Sequence, residues 1–589
     1  MSAEAVPIQP ARMPAFHPRE ARLHPADWAV LATTLLAIVA YGMWKGRRQE
    51  RLAQFLLADR QMQWYTVALS VMATQASAIT FLSTPGQAYT DGMRFVQFYL
   101  GLPVAMVILS ITAVPIYHRL QVFTAYEYLE TRFGIWTRGL TAVLFLIQRG
   151  LGTAMTLYAP ALIVSLVLGW NIQLTTLVIG VLVILYTATG GTKAVSWTQT
   201  HQLLIALGGM AIAMAIAIRS LPEHVGFTDA VRVAGKMGRM NVIDFTFDLT
   251  TPYNFWSGLF GGLMVALAYF GTDQSQVQRY LTGETITQSR LGLLFNGLVK
   301  VPMQFFILFV GAMVFVFYQF VAPPLSFNPV QREKVRNSAY ADEFRSLEAQ
   351  HEQTFAEKRA AAMALVDAMD ANDAAAIAQK SAALQTLQQR DDATRKAASA
   401  LIRKNDARAD AADTDYVFLT FIIQNLPTGL VGLLLAAIFC AAMSATASGL
   451  NSLASTSVVD IWKRLLLPGR ADHEYVVVSK WMTVFWGAFC ITFALYANQL
   501  GSLIVAVNKV GSFFYGTMLA IFLVAFYFKR VGGTAMLWGA AIAEIAVILC
   551  AVFTNMAWLW WNVVGCVVGV VAATIVQAAL GTERRRLAG

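Results

Sequence analysis

Long apolar blocks separated by short polar loops run through most of the chain. Blocks of roughly 20 apolar residues match the hydrocarbon thickness of a bilayer, whereas a soluble chain of this length would show half-polar, periodic elements. The pattern predicts an all-α polytopic membrane protein with about 13 transmembrane helices. We expect these spans at 27–44, 64–84, 95–116, 139–167, 172–189, 195–218, 255–276, 290–320, 426–456, 477–498, 503–528, 534–554 and 556–580.

Composition supports the lipid bilayer as the main partner of the chain. Hydrophobic residues make up 57% and charged residues 13%, against about 25% charged residues in soluble domains. The net charge of +10 does not indicate a nucleic-acid partner, because the basic residues lie in short loops rather than on one domain face. All four cysteines lie in apolar blocks without zinc-ligand spacing, which favours a packing role.

Charge distribution predicts the orientation of the chain in the membrane. Residues 1–26 are polar and proline-rich, which predicts an extracytoplasmic tail rather than a signal peptide. Basic residues cluster in every second loop, beginning with Lys45–Arg51 and ending with Arg584–Arg586. The positive-inside rule then places the N-terminus outside and the C-terminus in the cytoplasm of a cell (inner) membrane.

The segment 324–415 departs from this pattern, since it contains almost no apolar block. Phe344, Leu347, Phe355, Leu365 and Met369 recur at helical spacing, and a second apolar stripe follows a polar turn at 370–373. We expect an extracytoplasmic helical hairpin. A solvated spacer and a docking or assembly element both remain open for it.

Two spans are expected to be broken near their middle, where freed backbone groups bind ions or substrate in many transporters. The first is Val67–Gly92, whose centre is a polar run ending in Pro85-Gly86. Interhelical Ser/Thr packing is the alternative explanation. The second is Leu426–Ile461, in which small and hydroxyl side chains follow one another. Exposed carbonyls and hydroxyls suit a hard cation such as sodium.

Ionisable residues inside spans are the next functional signal. Lys300 lies well inside one span and Asp273 ends the apolar run of another. They are candidates for a shared cavity, although Lys300 also has the length to snorkel to the inner interface. Arg149 and Glu544 also lie in spans, and we assign them structural roles.

Other functional classes lack their motifs. The chain has no HExxH, GxSxG or P-loop sequence, so we do not expect an enzyme. A channel would need a repeated pore filter, which is not visible. A solute sensor of the same fold would carry a kinase, whereas the chain ends at Gly589 soon after its last span.

Five motifs resemble the sodium:solute symporter family, which includes sodium–glucose, iodide, multivitamin, proline and sialic acid carriers. Each motif is weak alone, but together they are specific and cover most of 27–580 outside the insertion. They are TAYEYLETRFG (124–134), TLYAPALIVSLVLGW (156–170), GGTKAVSWTQTHQ (190–202), DQSQVQRYL (273–281) and LNSLASTSVVDIW (450–462).

The resemblance implies a fold of two inverted five-helix repeats with broken helices. It implies this division: a leading helix at 27–44, a first repeat at 64–218, a second repeat at 255–528 interrupted by 324–415, two accessory helices at 534–580, and a basic tail at 581–589.

The resemblance also implies a sodium site as the place of the coupling ion. Its ligands would be the carbonyls of Ala73, Ala76 and Ala441 and the hydroxyl of Ser444. The family usually has a second hydroxyl next, where this chain has Ala445. Water or the hydroxyl of Thr446 would have to replace that oxygen.

A second departure is Gln199, which stands where the family signature has an aspartate that assists cation passage. Both departures remove oxygens or charge that favour a cation. Sodium-coupled uptake by alternating access is therefore the expected function. The alternatives are a proton-coupled or uncoupled carrier of the same fold, or a transporter-like solute sensor.

The substrate site carried over from the family is a set of polar side chains from five spans. A lysine at the position of Lys300 occurs in sugar carriers, whereas TPGQAY and YAPAL resemble the iodide, vitamin and monocarboxylate branch. The expected solute is therefore a small polar organic molecule, either a sugar or an organic acid. The implied substrate residues are Thr80, Tyr99, Asp273, Gln274, Lys300 and Asn508.

Overall fold

The computed structural model of the chain describes residues 23–45, 61–407, 409, 413–496 and 502–581, with the side chains of 35, 38–45, 186 and 189–200 left out. The predicted N-terminal tail up to residue 22, the basic loop 46–60 and the basic tail from residue 582 lie outside the described residues. The side chain of Gln199 also lies outside them.

The described part of the chain is α-helical, as its apolar blocks predict, and one isolated bridge between Met62 and Gly283 is its sole β pairing. Up to the insertion, the helices in chain order are α1 (Pro25–Lys45), α2 (Trp64–Gln75), α3 (Ala78–Asp91), a 3₁₀ helix (Gly92–Tyr99), α4 (Leu102–Ile111), α5 (Ala113–Leu120), α6 (Ala125–Phe133), α7 (Ile135–Leu168), α8 (Ile172–Arg219), α9 (Phe227–Lys236), a π turn (Ser257–Gly261), α10 (Gly262–Gly271), α11 (Gln274–Tyr280) and α12 (Ile286–Phe320).

The insertion and the remaining spans follow. They are α13 (Pro329–Arg336), α14 (Ala341–Asp370), α15 (Ala374–Asn405), α16 (Thr414–Asn425), α17 (Leu430–Thr456) with a π extension (Ser457–Leu466), α18 (Asp472–Ala494), α19 (Leu503–Tyr527), α20 (Gly533–Phe553) and α21 (Trp558–Leu580).

Among the described residues, 9 helical stretches are long and apolar enough to cross a membrane, and two shorter apolar ones accompany them. The expected number of about 13 spans is therefore not confirmed by length and composition. Helices interrupted inside a span fall short of a full crossing by themselves. The 12-residue α2 is an example.

The expected break in the first polar span is confirmed. Helix α2 ends at Gln75, Ala76 has φ −84° and ψ 67°, and α3 begins after the extended Ser77. The hydroxyl of Thr80 donates to the carbonyl of Gln75 at 3.0 Å, so one acceptor released by the break finds a partner. The break leaves other backbone groups of this turn available at the centre of the protein.

The expected break in the second polar span is wrong, because α17 is continuous from Leu430 to Thr456. Its hydroxyl residues bond back to carbonyls of their own helix, as Thr446 does to Ala442 at 2.9 Å and Ser455 to Asn451 at 2.7 Å. Such back-bonding lets a polar helix stay intact in an apolar environment. The second break instead separates α10 from α11 at Thr272–Asp273.

The expected loop between spans 172–189 and 195–218 is also wrong, since the backbone is helical throughout α8. The two ends of α8 have different neighbours. Gly180 and Ile184 pack against Ile491 and Gly487 of α18, whereas Gly209 packs against Leu434 of α17.

The insertion forms two long helices, α14 and α15, joined by a tight turn in which Asn372 has φ 52°. Phe344, Leu365 and Leu384 are buried in this pair. Asp391 lies at its centre, where it contacts His351 at 2.6 Å and Lys358 at 2.9 Å. A hydrophobic stripe and a buried charge cluster therefore hold the hairpin together.

The hairpin is fastened to the rest of the protein at two places. Near its turn, Arg232 of α9 donates to the carbonyl of Met369 at 2.8 Å, and Gln385 donates to the carbonyl of Lys236 at 2.7 Å. Near its base, Arg395 donates to the carbonyl of Pro324 at 2.9 Å. The hairpin thus links α9 to the segment after α12.

Two glycines allow α3, the second half of the broken helix, to pack closely on its neighbours. A Cβ at Gly86 would lie 1.7 Å from the carbonyl oxygen of Thr414, at the start of α16. A Cβ at Gly311 of α12 would lie 2.2 Å from the carbonyl oxygen of Pro85. The Pro-Gly pair in α3 is thus explained by backbone contacts on both sides.

Candidate functional site

A cavity of about 130 Å³ lies beside the break between α2 and α3. The break residues Thr74, Gln75 and Ser77 form one wall, and the other lining residues come from α3, the 3₁₀ helix, α4, α7, α10, α12, α17 and α19. Interrupted helices place free backbone groups at such a position, which suits ion or solute binding.

The structure brings together four of the residues implied as substrate ligands, since Thr80, Tyr99, Lys300 and Asn508 all line this cavity. The amide nitrogen of Asn508 donates to the carbonyl of Ile504 at 2.6 Å, which leaves its side-chain oxygen for a solute. The roles of these residues remain predictions.

Gln274 does not face the cavity. Its amide nitrogen donates to the carbonyl of Phe123 at 2.7 Å, and its amide oxygen accepts from the backbone of Ala125 at 3.1 Å. Both side-chain groups are therefore used to hold the start of α6 against α11. Its position in a family motif indicated its identity, but not the direction of its side chain.

Asp273 lies behind the cavity wall and caps α11. Its Oδ1 accepts from the backbone and hydroxyl of Ser275 at 2.8 and 2.6 Å, and its Oδ2 accepts from Tyr515 at 3.4 Å. The guanidinium of Arg149, which does line the cavity, is 3.7 Å from Oδ2. Arg149 is therefore a cavity residue that the sequence interpretation placed among structural residues.

Lys300 does not reach outward, because its side chain is 1% exposed and lines the cavity. Its Nζ lies 5.7 Å from the ring centroid of Tyr99, within range of a cation–π interaction. Snorkelling to the inner interface is therefore not observed.

The implied sodium ligands come from two helices in contact, α2 and α17. The hydroxyl of Ser444 lies 3.0 Å from the carbonyl oxygen of Ala441. Ala73 and Ala76 are buried at the end of α2 and at the break. The described residues contain no group of three or more His, Cys, Asp or Glu side chains that could hold a metal, so any cation here depends on carbonyl, hydroxyl and amide oxygens.

Gln202 of α8 is a neighbour of this group that was missed. Its amide oxygen lies 3.1 Å from the Ser444 hydroxyl, and the residue is 2% exposed. The signal was present, because Gln202 closes the GGTKAVSWTQTHQ motif. Thr446 does not take that place, since it lies two residues beyond Ser444 on another face of the helix and bonds to Ala442.

Charged residues close the opposite end of α17. Arg138 of α7 lies 2.7 Å from the carboxylate of Asp460 and 2.7 Å from that of Glu130. The hydroxyl of Thr124 donates to Asp460 at 2.8 Å, and Arg464 pairs with Glu130. Hydrogen bonds from Arg464 and Arg138 hold the pKa of Glu130 below its ordinary value. This cluster joins α6, α7 and the extension of α17.

Comparison with known proteins agrees with this architecture. The family model described as the sodium:solute symporter family matches residues 55–340 and 396–543. The sodium/iodide cotransporter of Homo sapiens is 27% identical over 479 residues, which are 81% of this chain and 61% of that protein. Sodium-coupled monocarboxylate transporter 1 of Homo sapiens is 26% identical over 500 residues, or 84% and 68%.

A solved structure has the same fold. It is the outward-open state of a Na⁺-coupled sialic acid symporter, with a TM-score of 0.73 and 21% sequence identity over 95% of this chain and 99% of that one. Helices broken beside a central cavity define a secondary transporter rather than an enzyme. The chain belongs to the sodium:solute symporter family. The family match omits 341–395, which comprises α14 and most of α15.

Proposed function

We propose that this protein takes up a small organic solute together with sodium by alternating access. The observation that carries the proposal is the position of the cavity, which lies beside the break at Ala76–Ser77 and within reach of α17. Its sodium-coupled relatives carry iodide or monocarboxylates by name, which agrees with a small solute.

Sodium would bind between α2 and α17, held by the carbonyls of Ala73, Ala76 and Ala441 and the hydroxyl of Ser444. The amide oxygen of Gln202, 3.1 Å from that hydroxyl, supplies the further oxygen that Ala445 cannot. Buried neutral oxygens of this kind suit a hard monovalent cation. The fit supports sodium as the coupling ion.

Sodium drives transport only through a difference in its affinity for the two states of the carrier. A cation spanning α2 and α17 favours the state in which these helices are close together, and the solute then binds at the adjacent break. A membrane potential adds about 2.3 kcal/mol per charge per 100 mV to inward movement, which is roughly fiftyfold accumulation.

The proposed organisation keeps the two inverted repeats at 64–218 and 255–528, with the leading helix at 27–44 and the accessory helices at 534–580. We propose a cell (inner) membrane location with the C-terminus in the cytoplasm. The charge cluster around Arg138 and Asp460 then lies at the cytoplasmic end, and the hairpin of α14 and α15 at the outer end.

Uptake into proteoliposomes tests the coupling ion. Radiolabelled candidate solutes should accumulate inside the vesicles when an inward sodium gradient is imposed. The membrane potential is set separately by a potassium gradient and a potassium-selective ionophore. An equal accumulation with a proton gradient and no sodium would support the proton-coupled carrier and overturn the proposal. Equilibration without accumulation under both gradients would indicate an uncoupled carrier.

A further inference from the structure

Basic side chains alone give the central cavity its formal charge. Among the described residues that line it, Arg149 and Lys300 are basic and none is Asp or Glu. Asp273 lies behind the wall, with its carboxylate engaged by Ser275 and Tyr515. A buried cation without a close counter-charge is costly unless a bound group supplies one.

Arg149 has more donors than partners. A guanidinium carries five N–H donors and stays protonated in proteins, yet the Nε of Arg149 is buried without a hydrogen-bond partner. Its NH1 is 3.7 Å from Asp273, which is longer than a hydrogen bond, and the guanidinium also bonds to the hydroxyl of Tyr269. Five donors exceed these partners, so part of the planar fork remains available to an acceptor with two oxygens in the same plane.

Lys300, on α12, adds a second basic group to the cavity lining. Its Nζ lies near the face of Tyr99, 5.7 Å from the ring centroid. The aromatic face stabilises an ammonium group without neutralising it. A negatively charged solute between Arg149 and Lys300 would gain from both.

The remaining walls define the body of the solute. Leu102, Val265, Ile504 and Val507 are apolar, while Thr80 and the side-chain oxygen of Asn508 are polar. A volume of about 130 Å³ admits a molecule of a few carbon atoms. The cavity lining thus combines polar and apolar side chains.

We propose that the transported solute is a small carboxylate and that Arg149 is the residue that binds its carboxylate group. This inference rests on the proposed function and specifies its substrate class. Lys300 contributes a second positive charge from α12, and the long contact between Arg149 and Asp273 gives way when the solute binds. A sugar leaves the donors of Arg149 without a charged partner.

Ligand-induced thermal stabilisation of the purified full-length protein in detergent with sodium tests this assignment. The probes are carboxylates paired with amides of nearly the same shape: lactate with lactamide, butyrate with butyramide, and nicotinate with nicotinamide, along with glucose. At least one carboxylate should stabilise the protein while its amide does not. Arg149→Gln should weaken its apparent Kd by about ten- to hundredfold, as expected for a charge-assisted bidentate contact.

Two further variants separate charge from general damage. Arg149→Lys should retain part of the preference for carboxylates, because it keeps the charge but loses the fork. Arg345→Gln, on the exposed face of α14 where Arg345 pairs with Asp342 at 3.1 Å, should bind like the wild type. Sodium-induced stabilisation without solute should be the same in all variants, which shows that they are folded.

The inference is overturned if amides or glucose stabilise the protein as well as carboxylates do, if no probe shows a preference for the carboxylate, or if Arg149→Gln binds carboxylates normally. Failure of the proposed function has a different signature. In that case, carboxylates bind through Arg149, but a sodium gradient drives no accumulation in proteoliposomes.

Discussion

The guanidinium of Arg138 lies 2.7 Å from the carboxylate of Asp460 and joins α7 to the π extension of α17. Asp460 is fully enclosed and also accepts a hydrogen bond from Thr124. Removing one partner of an ion pair this well buried strongly destabilises the protein, because the other charge stays desolvated. The pair therefore ties α7 to α17 at this end of the bundle, and we expect it to keep that end closed.

Replacing Arg138 should open that end. We expect Arg138→Gln to raise the labelling of a cysteine introduced at Ser448, which is buried in α17 in the closed arrangement, by a membrane-permeable maleimide. The protein with only its four native cysteines gives the background labelling, which is subtracted. Arg132→Gln, which removes an exposed bond to the carbonyl of Phe528, is the control and should leave labelling low. Unchanged labelling in Arg138→Gln would contradict a closing role.

The sodium ligands can be tested before any solute is known. Ser444→Ala should raise the sodium concentration needed for half-maximal thermal stabilisation by about tenfold, the equivalent of one lost oxygen ligand worth about 1.4 kcal/mol. Gln202→Leu should have a similar effect if its amide oxygen takes part. Thr446→Val is the control, since that hydroxyl bonds to Ala442. A normal sodium response in Ser444→Ala would show that the ligand assignment is wrong.

Gly86→Ala should destabilise the protein and abolish uptake. The new methyl group would overlap the carbonyl of Thr414, 1.7 Å away, and one of the two backbones must shift. Overpacking of this kind typically costs about 1–3 kcal/mol, visible as a lower unfolding temperature. Gly139→Ala is the matched control, because no atom lies within 4 Å of its added Cβ. Equal stability of the two variants would refute the close contact.

Asp391 should stabilise the hairpin over the whole physiological pH range. Burial alone would raise the pKa of Asp391, but the hydrogen bond from His351 and the charges of Lys358 and Arg395 outweigh it and hold the pKa well below its usual range. A depressed pKa means that the stabilisation is complete above the unfolded value of about 3.9 and is lost as the pH falls below it. Hydrogen exchange of α14 and α15 should therefore stay slow at pH 5–7 once intrinsic rates are corrected.

Asp391→Asn is the variant that isolates this carboxylate. It should speed exchange in both hairpin helices at pH 7, because Lys358 is left buried without its partner. Asp367→Asn changes an exposed residue of α14 and should not. Protection in Asp391→Asn equal to that of the wild type would show that the buried cluster contributes little.

Removal of the hairpin distinguishes a spacer from a working part. If residues 341–405 are replaced by a short glycine-serine linker, we expect measurable sodium-driven uptake, because the family match omits 341–395 and the central cavity is built from other helices. A complete loss of uptake with normal expression and sodium binding would instead show that the insertion has a direct role in transport.

Much of this architecture can be predicted from the sequence, because membrane spans need long apolar runs and polar interruptions in them stand out. The break at Ala76–Ser77 is visible, since polar residues and Pro-Gly interrupt an apolar run. The break at Thr272–Asp273 is not, because Asp273 resembles a ligand at the end of a span, whereas it caps α11. Polar residues signalled a break in α17 that back-bonding prevents.

The cavity was harder to predict, because side-chain direction is a tertiary property. Lys300 and Thr80 were expected there and line it. Gln274 was expected in the cavity but bonds to backbone groups near α6, whereas Arg149 was expected to be structural but lines the cavity. A motif identifies a residue but not the direction of its side chain. Gln202 was in a family motif, but its position beside Ser444 depends on the packing of α8 against α17, which the motif does not indicate.

The hairpin of α14 and α15 has mechanical consequences for the carrier as a moving object. Its bonds to α9 and to Pro324 link elements that are far apart in sequence, and the tight contact of Gly86 with Thr414 joins α3 to α16. Under the proposed alternating access, the elements fastened by the hairpin are expected to move together. The insertion would then restrict the relative motion of these elements, although it adds residues to the chain.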